Sequence, residues 1–151
     1  MKTAIIVPAF NEAAVIAQTL QDIRTVLRRD RINADLIVVD DGSSDGTGDV
    51  ALAYADRLLK HKHNCGLGAA LATGIEYIKR ANYDACVTFD SDGQHDPRDI
   101  KKALLQLQSG TDVVIGSRFI GTHSGMPKLR RIILFLGNLV TFMFFGVWTT
   151  D

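Results

Sequence analysis

The sequence predicts an α/β protein built on a mostly parallel sheet with helices on both faces. Two observations carry this. Apolar runs of strand length alternate with stretches whose apolar residues recur at helical spacing, the β-α-β-α order that produces parallel sheets. Asp90-Ser91-Asp92 also follows directly on the apolar run 85–89. The carboxyl end of a strand is where an open sheet of this kind seats its ligand.

Taken in order, residues 3–7 are rich in Ile and Val and read as the first strand. Residues 12–29 carry Ile16, Leu20, Ile23 and Leu27 on one helical face. A second strand spans 35–39. Its end, Asp40-Asp41-Gly42-Ser43-Ser44-Asp45-Gly46, is a loop that offers caps for a helix near 49–55. Residues 57–61 are a weaker third strand, and 66–80 a helix approached through glycines. After the strand 85–89, Asp96 and Pro97 open the next helix as cap and first helical residue. Residues 112–115 read as the last strand. No internal repeat interrupts the pattern.

A chain of 151 residues is one domain's worth, with Lys+Arg and Asp+Glu both at 17. That balance gives no support to a nucleic-acid binder that depends on a positive field. Two cysteines, Cys65 and Cys86, are too few for a disulfide framework and fit a reducing cytosol. The apolar start is interrupted by Pro8, Asn11 and Glu12 too early for a signal peptide.

An extended backbone sends residues i and i+2 to one side. Asp90 and Asp92 are therefore expected to converge on one divalent cation, with Gln94 as a third oxygen donor. The alternative, loop aspartates capping the next helix, loses support because Asp96 fills that cap. All-oxygen ligands favour magnesium or manganese over zinc. Asp40, at a strand end, is expected to face the ligand crevice and accept a base N–H; for Asp41 and its neighbours, turn and cap duty is preferred. Gly66-Leu67-Gly68 is either a close approach of backbone to ligand, with Asn64 beside it, or a plain turn into a helix. His61, His63 and Cys65 alternate as a soft-metal trio would. Core and loop duty is preferred for them, since no closed four-ligand spacing is present. Arg118 follows the last strand and suits phosphate oxygens. Lys128, Arg130 and Arg131 form a basic cluster before the uncharged stretch 132–148. As a helix that stretch measures about 25 Å, short of the roughly 30 Å hydrocarbon core. Its aromatic content favours a helix lying in the membrane interface over a buried core helix.

Five stretches together resemble one family. They are Ile6-Val7-Pro8-Ala9-Phe10-Asn11-Glu12, Val39-Asp40-Asp41-Gly42-Ser43-Ser44-Asp45-Gly46-Thr47, Asn64-Cys65-Gly66-Leu67-Gly68, Phe89-Asp90-Ser91-Asp92-Gly93-Gln94-His95-Asp96-Pro97 and Gly116-Ser117-Arg118-Phe119. In this order the chain resembles the family-2 glycosyltransferases of GT-A fold, and among them the dolichyl- or polyprenyl-phosphate sugar synthases. The resemblance implies a nucleotide-sugar-binding catalytic domain over 1–125 and a basic, apolar, interfacial segment over 126–151. It implies Pro8, Phe10, Glu12, Asp40, Asn64, Gly68, Asp90 and Ser91 at the nucleotide sugar. Asp90, Asp92 and Gln94 would hold Mg2+ or Mn2+, and Arg118 and Arg131 would grip donor and acceptor phosphates. Asp92, Arg118 and Asp151 become the catalytic candidates.

The implied reaction is inverting transfer from a GDP-mannose- or UDP-glucose-type donor to a polyprenyl or dolichyl phosphate. The implied place is the cytoplasmic face of the membrane, peripherally bound. Family members run on past the Thr-Asp pair where this sequence stops, at Thr150-Asp151, so a shortened chain is expected. Two alternatives follow: an inactive nucleotide-sugar-binding module, and a transferase acting on a sugar hydroxyl of a polysaccharide. A nucleotidyltransferase is disfavoured, because Pro8-Ala9-Phe10-Asn11-Glu12 is not a glycine-rich phosphate loop.

Overall fold

A computed structural model describes residues 1–93 and 95–116. The chain divides after Asp112 into two compact units, and every element below belongs to the first. The expected domain limit at 125/126, the basic cluster and the apolar stretch 132–148 lie outside the described residues.

Four strands, β1 (Thr3–Ala9), β2 (Ala34–Asp40), β3 (Arg57–Lys60) and β4 (Ala85–Thr88), form one parallel sheet in the order β3-β2-β1-β4. β1 lies inside the sheet and pairs with β2 from Thr3↔Ala34 to Ala9↔Asp40. All seven of its residues are buried, which is why its sequence runs apolar without alternation. Period two then divides the side chains between two cores. Ile5, Val7, Leu36 and Val38 pack with α1 (Ile16–Arg29), α2 (Thr47–Leu52) and α4 (Arg98–Gln108). Ala4, Ile6, Ile37 and Val39 pack with α3 (Leu67–Arg80) on the opposite face. The helices therefore cover both faces, and the chain reverses direction across the sheet between β1 and β4.

α1 buries Ile16, Leu20, Ile23 and Leu27, the stripe its spacing predicts. It begins at Ile16 rather than residue 12, because Asn11 takes a left-handed φ of 55° and residues 13–15 form a turn. The amides of the residues leading into it find partners in the 45–47 segment. Thr47 Oγ1 accepts from the Glu12 amide at 2.8 Å and Asp45 Oδ2 from the Ala13 amide at 3.0 Å. α2 likewise starts two residues before the expected 49. α4 starts at Arg98, one residue after Pro97, and Asp96 Oδ1 accepts the Arg98 amide at 2.9 Å, so the aspartate still caps. Arg98 also holds the Asp96 carboxyl down at about 2.

One expected element is not formed. Among the described residues, 112–115 pair with no strand, and Val113 and Ile115 are 71% and 72% exposed. β-propensity reflects fit to a paired, half-buried surface; without a ladder partner the Val-Val-Ile run stays irregular. Among the described residues no helix is long and apolar enough to cross a membrane.

Candidate active site

The strand-order reversal between β1 and β4 opens a crevice at their carboxyl ends, where such sheets bind ligands. A cleft of about 380 Å³ occupies this place. Pro8, Phe10 and Glu12 line it from the end of β1, and Asp90, Ser91 and Asp92 from the loop after β4. The far wall is Asn64, Gly66 and Leu67, with Ala70 of α3 behind them. Phe10 is 42% exposed and presents an apolar face to the opening.

Asp90 and Asp92 share the cleft by a different route from the one their spacing suggests. β4 ends at Thr88, and Ser91 and Asp92 lie in a turn. The turn, not extended alternation, brings both carboxylates to one opening. The loop is anchored from beneath. Ser91 is 6% exposed, and its carbonyl accepts the Thr19 hydroxyl of α1 at 3.2 Å. His95 Nε2 stands 2.9 Å from Asp90 Oδ2, while the His95 ring meets Phe89 edge-on at 5.7 Å. Phe89 is in the core, so His95 ties the half-exposed Asp90 to a fixed point. Sequence reading gave His95 no role.

Asp40 requires a correction. It is fully buried and does not line the cleft. Leu36 and Val38 face α1 and α2, and period two turns Asp40 the same way. Its Oδ1 accepts the Ser43 amide at 2.9 Å, and its Oδ2 lies 3.4 Å from Lys60 Nζ. A Cβ placed on Gly48 of α2 would come within 2.5 Å of that oxygen.

Asp41 takes the other side, continuing Ile37 and Val39, and lines the cleft. Its Oδ1 accepts the Cys65 amide at 2.9 Å and faces His61 Nδ1 at 2.6 Å, and its Oδ2 accepts the Gly66 amide at 2.7 Å. Asp41 thus pins the loop that forms the far wall. Asn64 Oδ1 accepts the same Gly66 amide at 2.9 Å. Gly66 needs its φ of +89° to make this bend. Gly68, two residues further on in α3, does not line the cleft. Gln94, Arg118, Arg131 and Asp151 lie outside the described residues.

The sign of one pH effect follows. Burial pushes the Asp41 carboxyl up, but the Cys65 amide, the His61 ring and the Gly66 amide outweigh it and hold the group below the usual carboxylate range. A lowered folded-state value stabilises the fold above the unfolded value, about 3.9. That contribution is lost as pH falls through the still lower folded value. Asp41→Asn is therefore expected to destabilise the fold at neutral pH, with the gap to wild type closing below about pH 4. Urea melts across this range measure it; a gap that keeps its size in acid would contradict the assignment.

The family described as Glycosyl transferase family 2 matches residues 4–144. The chain belongs to that family. This family-2 chain is 32% identical over 158 residues to a polyprenol monophosphomannose synthase of Mycolicibacterium smegmatis, covering 99% of this chain and 58% of that protein. It is 33% identical to an undecaprenyl-phosphate mannosyltransferase of Micrococcus luteus, covering all of this chain and 63% of that protein. The chain thus spans about three-fifths of the length of these relatives. Among solved structures, it resembles the mannosyltransferase PcManGT from Pyrobaculum calidifontis, determined in complex with GDP-Man and Mn2+. There the TM-score is 0.56 at 26% identity, over 68% of this chain and 31% of that one. The four-stranded parallel sheet and its helices are therefore of GT-A type.

Proposed function

We propose that this family-2 chain carries the donor site of an inverting, metal-dependent glycosyltransferase. It moves a sugar from a GDP-mannose- or UDP-glucose-type donor to a polyprenyl or dolichyl phosphate. The observation that carries the reading is the cleft itself. Two acidic side chains, Asp90 and Asp92, face a half-apolar wall of Pro8 and Phe10 at the point where the strand order reverses. The names of the relatives, and the GDP-Man in the similar mannosyltransferase, support the substrate classes.

The residues fit a hard cation. Asp90 and Asp92 offer only oxygen, the donor Mg2+ or Mn2+ prefers, and the Asp90 side chain is 49% exposed to the cleft. We assign Gln94 to the same ligand set. When bound, a divalent cation neutralises the charge that builds on the departing nucleoside diphosphate. The chain's own residues do the rest. Phe10 and Pro8 give the nucleoside an apolar seat, and Asn64 gives it a polar edge. Thr19 and His95 hold the acidic loop still, so that its carboxylates need not reorganise during transfer. Arg118 and Arg131 are assigned to the phosphates of donor and acceptor. A phosphomonoester has its second pKa near 6. A lipid-phosphate oxygen is therefore already ionised at neutral pH, and Asp151 is not required as a strong base. The cluster Lys128, Arg130 and Arg131 would bring the chain to an anionic cytoplasmic leaflet.

Thermal shift with GDP, UDP, GDP-mannose and UDP-glucose, each with Mn2+ or with chelator, tests the donor site. A ligand at a hundred times its Kd stabilises by about 2.7 kcal/mol. At least one nucleotide sugar is expected to do so with Mn2+ and not with chelator. Vesicles holding undecaprenyl phosphate should then acquire lipid-linked sugar. Donor stabilisation that is indifferent to the cation would overturn the reading.

A further inference from the structure

We propose that Asp41, His61 and Cys65 form a second cation site, separate from the Asp90/Asp92 pair and selective for ions of the Zn2+ class. The alternation of His61, His63 and Cys65 suggests a trio on one face of a strand, but β3 ends at Lys60 and His63 is exposed. The fold replaces His63 with Asp41. One ligand atom from each of Asp41, His61 and Cys65 lies within 4.8 Å of the other two. Tetrahedral zinc with bonds of 2.0–2.3 Å needs ligand separations of roughly 3.3–3.6 Å. A bound cation would draw the three donors together to those separations and widen the 2.6 Å Asp41–His61 contact.

Three further features suit a metal. The donors are one carboxylate, one imidazole and one thiol, a set that selects zinc-class ions over magnesium. A ligating histidine needs an acceptor for its other ring N–H, and Thr73 Oγ1 already stands 2.9 Å from His61 Nε2. With Nδ1 on the cation, the ring proton sits on Nε2 and donates to Thr73. The Asp41 and His61 side chains are 4% and 17% exposed, whereas Cys65 lies at the surface. The cation would have a partly buried seat and an open fourth position for water. Binding replaces the contact of the Cys65 thiol with the His63 carbonyl, at 3.4 Å.

The test is titration of the full chain with Co2+, then Zn2+ in competition, with excess Mg2+ present to occupy the acidic pair. One equivalent of Co2+ is expected to produce a thiolate-to-metal charge-transfer band that Zn2+ abolishes. Cys65→Ser, a surface change that leaves the core intact, should erase the band and weaken Zn2+ binding at least about tenfold. His63→Ala should leave both as in wild type. No band in the wild-type chain, unchanged Zn2+ affinity in Cys65→Ser, or equal loss in His63→Ala would each overturn the site.

Discussion

Asp92→Ala is expected to lower sugar transfer by at least about a thousandfold. Charge neutralisation by a metal at a leaving phosphate is worth several kcal/mol, and each 1.4 kcal/mol is a factor of ten. Asp92 lines the cleft on an exposed turn, so its removal opens no cavity in the core. The loss should fall chiefly on kcat, because the charge it answers is greatest in the transition state. Wild-type enzyme treated with chelator should fall to the same floor. Turnover in the variant within about tenfold of wild type, or wild-type turnover indifferent to chelator, would remove the acidic pair from the mechanism.

Gly42→Ala is expected to cost about 3 kcal/mol of stability and to weaken donor binding as well. Gly42 has φ +76°, and a left-handed conformation costs a side-chain-bearing residue about 1–2 kcal/mol. The new Cβ would also meet backbone, 2.7 Å from the Asn64 amide nitrogen and against the His63 main chain. Backbone cannot rotate away, so the 63–64 segment must shift, and Asn64 is part of the cleft wall. Gly46→Ala is the control. Its φ is +90°, yet nothing lies within 4 Å of the added carbon, so only the conformational cost of about 1–2 kcal/mol remains. Urea melts of the two variants, with nucleotide titrations beside them, separate strain from collision. Equal losses would show that the loop after β3 yields freely.

Much of this fold is legible from hydrophobic spacing alone, because spacing reports burial directly. The stripe Ile16, Leu20, Ile23 and Leu27 faces the sheet as its period requires, and the apolar runs of β1 and β2 are buried strands. Propensity without a partner misleads, as residues 112–115 show. The site was harder to read where two identical residues stand together. Asp40 and Asp41 differ only in which way the strand turns them. Strand-end position favoured Asp40, while the period set by Leu36 and Val38 already sends it toward α1 and α2. His95 carries no local signal, and the alternation that singles out His61 does not reveal its partners Asp41 and Thr73, which the fold assembles. Asp90 and Asp92 reach a common cleft although the extended geometry that suggested it is absent. The spacing was informative, and the turn is what realises it.

α1 has no cap in its own sequence: Val15 precedes it and supplies no side-chain bond. The residues leading into it, Glu12 and Ala13, are latched instead to Thr47 and Asp45, and Asn11 is stitched to Ser43 and Ser44 across the same seam. These two stretches can therefore breathe only in concert. A disturbance that frees the 43–47 segment also unfastens the start of α1 and, through Phe10 and Glu12, one lip of the cleft.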